Sequence, residues 1–204
     1  MTQVTSGIRA ILSNPIVYSI FQEFMGASKG KKELVAEFVA PHVVQSILDI
    51  GCGPADILAH LPDVQYTGFD ISGNYIAKAR EKFGERGTFF AKCLVREDLD
   101  TLPKFDLVIM TGVLHHLDDD EAKEILSIVR DVLNRGGRLL TKDPVFEDGQ
   151  SPIARYLISK DRGQNVRTRQ GYQSLVEGTF ECSEITVRHK AWPPYTHCIT
   201  VCTC

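Results

Sequence analysis

The run Leu48-Asp49-Ile50-Gly51-Cys52-Gly53-Pro54-Ala55 constrains the fold of this chain more than any other stretch. Residues 47–50 are a short apolar segment of strand character, and the glycines that follow let the backbone turn sharply and open a helix. With no side chain in the way, a ligand can approach that turn closely. A second apolar segment, residues 66–69, ends in Asp70, which lies 19 residues after Gly51. A carboxylate at the end of a second strand can accept both hydrogen bonds from a ribose diol. A glycine turn with an acid so spaced predicts a nucleotide-binding α/β fold.

The remaining pattern extends that fold. Residues 88–91, 105–110 and 137–142 read as further strands. Ser72 is placed to cap a helix in which Ile76, Ala79 and Phe83 share a face. Asp118 or Asp119 starts the clearest helix, which carries a stripe through Ala122, Leu126, Val129 and Leu133 and ends at Gly136-Gly137. Alternating strands and helices favour a mostly parallel sheet. Residues 184–188 and 197–202 form a final pair around Trp192-Pro-Pro194, joined too briefly for a parallel crossover, and are expected to be antiparallel. Before the first strand, Val17, Ile20, Phe21 and Phe24 line one side of a helix starting near Pro15, and residues 31–40 suggest another, stopped by Pro41.

Charge near the turn narrows the ligand. A dinucleotide-binding turn wants a small residue at its sixth position, where this chain has Asp56. Asp49 sets a second carboxylate beside the turn. A pyrophosphate would be repelled there, whereas a ligand end carrying an ammonium would be welcomed.

In order and spacing, Leu48-Asp-Ile-Gly-Cys-Gly-Pro, Gly68-Phe-Asp70-Ile-Ser, Phe105-Asp-Leu-Val-Ile, Val113-Leu-His-His-Leu117 and Leu133-Asn-Arg-Gly-Gly-Arg-Leu139 resemble the class I S-adenosylmethionine-dependent methyltransferases. The resemblance covers roughly residues 45–142. It implies a Rossmann-like three-layer sandwich with a seven-stranded, mostly parallel sheet, an antiparallel final strand and added N-terminal helices. One domain is expected over 1–204: N-terminal helices or lid over 1–44, a cofactor-binding core over 45–142, and a variable acceptor segment with the last two strands over 143–204. S-adenosylmethionine is the cofactor so implied. Asp49, Gly51, Cys52 and Gly53 line its methionine end, Asp70 and Ile71 hold the ribose side, and Thr111 and Gly112 face the sulfonium. Ala55 stands where many members have a third glycine. The segment Ala91-Lys-Cys-Leu94 lacks the acid that often binds adenine, so backbone groups near Cys93 and Leu94 are expected to hold that ring.

The expected reaction is in-line methyl transfer to a small-molecule acceptor. His116 is the first candidate base, followed by His115, and Asp143 at the end of the fifth strand is a third catalytic candidate. Arg162 and Arg167 suit an anionic acceptor, because a guanidinium grips carboxylate or phosphate in bidentate fashion. Tyr172, Tyr195, His197 and Tyr18 complete the candidate acceptor residues. An RNA or protein methyltransferase and a non-catalytic cofactor-binding subunit are the alternatives. The net charge of −3 disfavours nucleic acid. The six cysteines lack zinc-ribbon spacing and no metal is expected. With no signal-peptide pattern and no bilayer-length apolar run, the expected location is cytoplasmic.

Overall fold

In a computed structural model, residues 27–161 and 163–204 are described. The expected helix near Pro15, Tyr18 and Arg162 lie outside them. Helix α1 (Ala27–Phe38) starts four residues before the expected 31. It buries Leu34 and Val35, and packs on the turn that follows the first strand.

Strands β1 (Ser46–Ile50), β2 (Gln65–Phe69), β3 (Gly87–Phe90), β4 (Phe105–Thr111) and β5 (Leu133–Phe146) run parallel to their neighbours. Beyond β5 come β8 (Tyr195–Thr203) and then β7 (Cys182–Lys190), and β8 is antiparallel to both. The order is β3-β2-β1-β4-β5-β8-β7. The antiparallel final strand is as expected. The strand count is not: a two-residue β6 (Arg167–Thr168) adds an eighth strand beside the far end of β5. So short a pairing leaves no periodic signal in sequence.

The strand alternation sorts the core into two layers. Ile47, Leu107, Ile109, Leu140 and Ile199 face α1 and α2 (Gly73–Phe83). Leu48, Val108, Met110, Leu139, Cys198 and Cys202 face α3 (Asp119–Val132) and α5 (Arg169–Val176). Asp118 caps α3, accepting from the backbone N–H groups of Asp120 and Glu121, while Glu121 reaches back to the Asp118 N–H. Ala122, Leu126 and Val129 are fully buried along its stripe, and burial of a side chain like Leu126 contributes about 2 kcal/mol. Helix α4 (Pro152–Ser159), with Ser151 as cap, packs on β8.

Two local expectations need correction. The glycine turn opens into a five-residue 3-10 turn, Asp56–His60, rather than a full helix. Leu61 precedes Pro62 and is forced extended (ψ 149°), which stops the turn. Strand β5 starts at Leu133 rather than residue 137, because Leu133 already pairs with Phe105 before a register shift.

Candidate functional site

The strand order reverses between β1 and β4, so a crevice opens at their C-terminal ends, where ligands bind in such sheets. The glycine turn forms its floor. Gly51 and Gly53 both have positive φ (73° and 55°), and a Cβ on Gly51 would lie 2.6 Å from Val113. A Cβ on Gly53 would meet nothing within 4 Å, so that edge of the turn is open. Ala55, where the resemblance has a third glycine, also adopts positive φ (56°).

Asp70 organises the rim. Its Oδ2 accepts from the Gly53 N–H at 2.9 Å and its Oδ1 from the Ser72 N–H at 2.7 Å. Each carboxylate oxygen keeps a further lone pair, so a diol fits without breaking either bond. Ile71 beside it is 52% exposed, an apolar surface at the rim. Cys93 is exposed and Leu94 is core, which leaves the 91–94 backbone at the same edge.

Asp49 is 2% exposed. The Tyr66 hydroxyl donates to its Oδ2 at 2.6 Å, but Oδ1 has no hydrogen-bond partner among the described residues. Burial raises the carboxyl to about pH 7, partly offset by the Tyr66 bond and the charge of Lys31. A buried acceptor left over beside a glycine turn suits a ligand ammonium. Burial likewise pushes up the Cys52 thiol, which is no nucleophile here.

At the ends of β4 and β5, His115 is clamped between two acids. Its Nδ1 lies 2.8 Å from Asp143 Oδ1 and its Nε2 lies 3.2 Å from Asp161 Oδ1. Burial opposes the charged ring, but the two carboxylates outweigh it and raise His115 to about 9. At neutral pH the ring is an imidazolium with both N–H groups engaged, so His115 has no site left to accept a proton. Asp143 is 1% exposed, with Oδ1 also accepting the His115 backbone N–H. Its Oδ2, like Asp49 Oδ1, has no hydrogen-bond partner among the described residues. Together His115 and Asp143 fasten the β4 and β5 ends to the 161–165 segment. Asp161 is held low in turn by His115, and also accepts from Tyr195 at 2.6 Å.

This ion pair sets a pH dependence. The His115 contribution is complete below its unfolded value near 6.5 and is lost as pH rises through about 9. Unfolding free energy should fall by about 2 kcal/mol from about pH 7 to about pH 8.5, and a His115→Gln variant should show a flatter profile. Equal slopes in urea titrations would remove His115 from the account.

The other predicted residues divide. His116 is half-buried, its ring centroid 4.2 Å from that of His115. Thr111 pairs with Lys142, and the Gly112 N–H donates to the Lys142 carbonyl, so both sit at the rim. The Tyr195 and His197 rings lie beside it, tilted, with centroids 5.0 Å apart. Arg167 and Tyr172 are engaged within the chain. All five N–H donors of Arg167 are taken, by the carbonyls of Leu114, Leu117 and Asn165 and twice by Asp119. None remains for an acceptor. Tyr172 is 2% exposed and its hydroxyl donates to the Pro144 carbonyl. Sequence reasoning missed Tyr66, Asp161 and Lys142. Asp161 lies within the charged 160–169 run, where the arginines alone drew notice, and Lys142 directly precedes Asp143 at a strand end.

A family described as a methyltransferase domain matches residues 48–139. An uncharacterized methyltransferase from Geobacillus thermodenitrificans is 29% identical over 115 residues, which are 55% of this chain and 53% of that protein. This chain thus spans about half the length of that relative. Among solved structures, an S-adenosylmethionine-dependent methyltransferase from Archaeoglobus fulgidus superposes with a TM-score of 0.73 at 17% identity, covering 92% of this chain and 99% of that one. An O-methyltransferase family protein from Burkholderia thailandensis gives 0.67 at 16% identity over 98% and 64%. The strand reversal between β1 and β4 falls within the matched stretch: residues 48–139 match a methyltransferase domain, and the fold is the Rossmann-like one of these methyltransferase structures.

Proposed function

We propose that this protein transfers a methyl group from S-adenosylmethionine to a small-molecule acceptor. The observation that carries the reading is the buried Asp49 Oδ1, unpartnered among the described residues, beside a glycine turn whose rim is laced by Asp70. The two carboxylates match an ammonium and a ribose diol at the two ends of one ligand. A dinucleotide would instead bring a pyrophosphate against Asp49. The O-methyltransferase family protein among the structural relatives supports a small-molecule acceptor.

When bound, the sulfonium supplies a methyl group already activated for transfer. The chain's own residues then have three tasks. Asp49, Asp70 and the exposed Ile71 side chain bind and orient the cofactor, with the 91–94 backbone at the adenine edge. Gly51, Gly53 and Gly112 permit close approach, and Thr111 flanks the reacting end. An acceptor hydroxyl needs a base, and we assign that task to His116 at the rim. Held by Asp143 and Asp161, His115 keeps the wall behind it in place. Alignment and exclusion of water do the remainder.

Calorimetry should show S-adenosylmethionine binding with NAD silent, and Asp70→Ala should weaken that binding by about 2 kcal/mol. Incubation with methyl-labelled cofactor and metabolite extract should yield a labelled small product, and His116→Ala should slow its formation while leaving cofactor affinity alone. Comparable affinity for NAD, or an Asp70→Ala variant that is folded and binds normally, would sink the reading.

A further inference from the structure

With Arg167 engaged inside the chain, an anionic acceptor would need another cation, and the sheet provides one. Lys142 occupies the β5 position directly opposite Thr111 on β4, so it is one strand spacing, about 4.8 Å, beyond the residue flanking the reacting end. Strand parity places it on the α1 face with Leu140. Its Nζ crosses to Gly30 of α1, 3.6 Å from where a Cβ would stand there. Among the described residues it has no hydrogen bond or ion pair. Its neighbours are already matched: Lys31 faces Asp56 at 3.5 Å, Lys29 faces Glu33 at 3.9 Å, and Arg188 pairs with Glu37.

Register extends the row. Pro144, two residues along β5 from Lys142, pairs with His197 on β8, and His197 pairs with Arg188 on β7. Lys142, His197, Arg188 and Lys190 therefore share one face at the strand ends. Among the described residues the His197 ring has its tilted contact with Tyr195 but no hydrogen bond. Burial and the positive charges of Lys142 and Lys190 hold it neutral, at about 3. Burial and the charges of Lys190, Arg188 and Lys31 also lower Lys142, against the single pull of Glu33. These side chains form a positive cluster whose central ammonium has no ion-pair partner among the described residues, next to where the methyl group would leave.

We propose that Lys142 and His197 bind the anionic group, a carboxylate or phosphate, of the acceptor molecule. The proposal rests on the methyl-transfer reading for its orientation, but the anion site itself does not depend on it. The ammonium supplies the charge, and the neutral imidazole supplies an N–H donor. Arg188 and Lys190 add positive potential from the next strand. An anion seated between them restores the balance that the strands leave open, and it sets the acceptor's remaining atoms toward Thr111.

The probes are benzoate and inorganic phosphate, titrated into the protein with and without saturating S-adenosylhomocysteine. Lys142→Met keeps the side-chain length and removes a mostly buried charge, so the fold is not endangered; a thermal melt checks this. One of the two probes should bind wild type, with Lys142→Met weakening it about tenfold and His197→Phe by a similar factor. Binding should also raise the titration midpoint of His197, read from its imidazole proton resonances, an effect a purely structural lysine would not produce. S-adenosylhomocysteine affinity should be unchanged in both variants. Failure of wild type to bind either anion, or equal binding by Lys142→Met, overturns the proposal. Loss of S-adenosylhomocysteine binding in Lys142→Met also overturns it, because the ammonium then serves the cofactor's own carboxylate. If wild type binds the anions through Lys142 but never binds S-adenosylhomocysteine, the anion site stands and the methyl-transfer reading fails.

Discussion

The affinity for S-adenosylhomocysteine should pass through a maximum on the alkaline side of about pH 7, falling on both sides. The acid limb belongs to Asp49. Burial holds this carboxyl protonated up to about pH 7, and a ligand ammonium needs it ionised. Below that value each pH unit should cost about tenfold in affinity. The alkaline limb belongs to the ligand, whose α-ammonium, held up by its own carboxylate, loses its proton well above neutral pH. The linkage has a matching sign in the cofactor-free protein. Native Asp49 holds its proton more tightly than the unfolded chain does, so its contribution to stability falls as pH rises from about 4 to about 7. Replacing the acid as Asp49→Asn should abolish the acid limb and lower peak affinity by about 3 kcal/mol. Tyr66→Phe is the finer test. The hydroxyl holds Asp49 down, along with Lys31, while Asp70 pushes it up. Removing the hydroxyl should move the acid limb to higher pH with the peak nearly preserved. A wild-type profile that stays flat from about pH 5.5 to about pH 7 would place the ammonium elsewhere.

How much of this could be read in the sequence depended on the range of the forces involved. The glycine turn, Asp70 and the seven long strands are local: period, capping and turn chemistry write them into contiguous residues. Asp118 and Glu121 announce the start of α3 in four residues, and the structure closes that capping box. What escaped is set by pairs far apart in the chain. His115 looks like a base in sequence because its partners lie 28 and 46 positions away, at Asp143 and Asp161. Only the fold, by closing Asp161 onto the ring, turns it from a proton acceptor into a fixed cation. Lys142 escaped for the converse reason. A lysine among polar residues predicts a solvated side chain, and only the register of β4, β5 and β8 shows it placed against α1 with no acid of its own. The 3-10 turn after β1 was a smaller miss, decided by Pro62 and readable in principle.

Arg167→Met should lower stability by about 4 kcal/mol, a drop of about 10 °C in melting temperature, without changing cofactor affinity in the folded fraction. The guanidinium joins two stretches of backbone. It donates to Leu114 at 2.8 Å and Leu117 at 2.9 Å in the loop after β4, and to Asn165 at 3.0 Å just before β6. Its side chain is only 11% exposed, so the carbonyls it satisfies are shielded from water that would replace it. The ion pair with Asp119 matters less, since that carboxylate is 69% exposed and its charge is screened. Asp119→Ala should therefore lose under about 1 kcal/mol, a contrast that separates backbone clamping from surface pairing. Arg167→Lys should fall between them, because an ammonium offers three donors from one point and cannot span carbonyls on both sides. The clamp lies on the same segment as Asp161, so loosening it should also free His115, and amide exchange at residues 163–166 should accelerate. If Arg167→Met instead melts as wild type and raises the Michaelis constant for an anionic acceptor, the guanidinium leaves those carbonyls in solution. It would then grip the substrate directly, and Lys142 would lose its reason to do so.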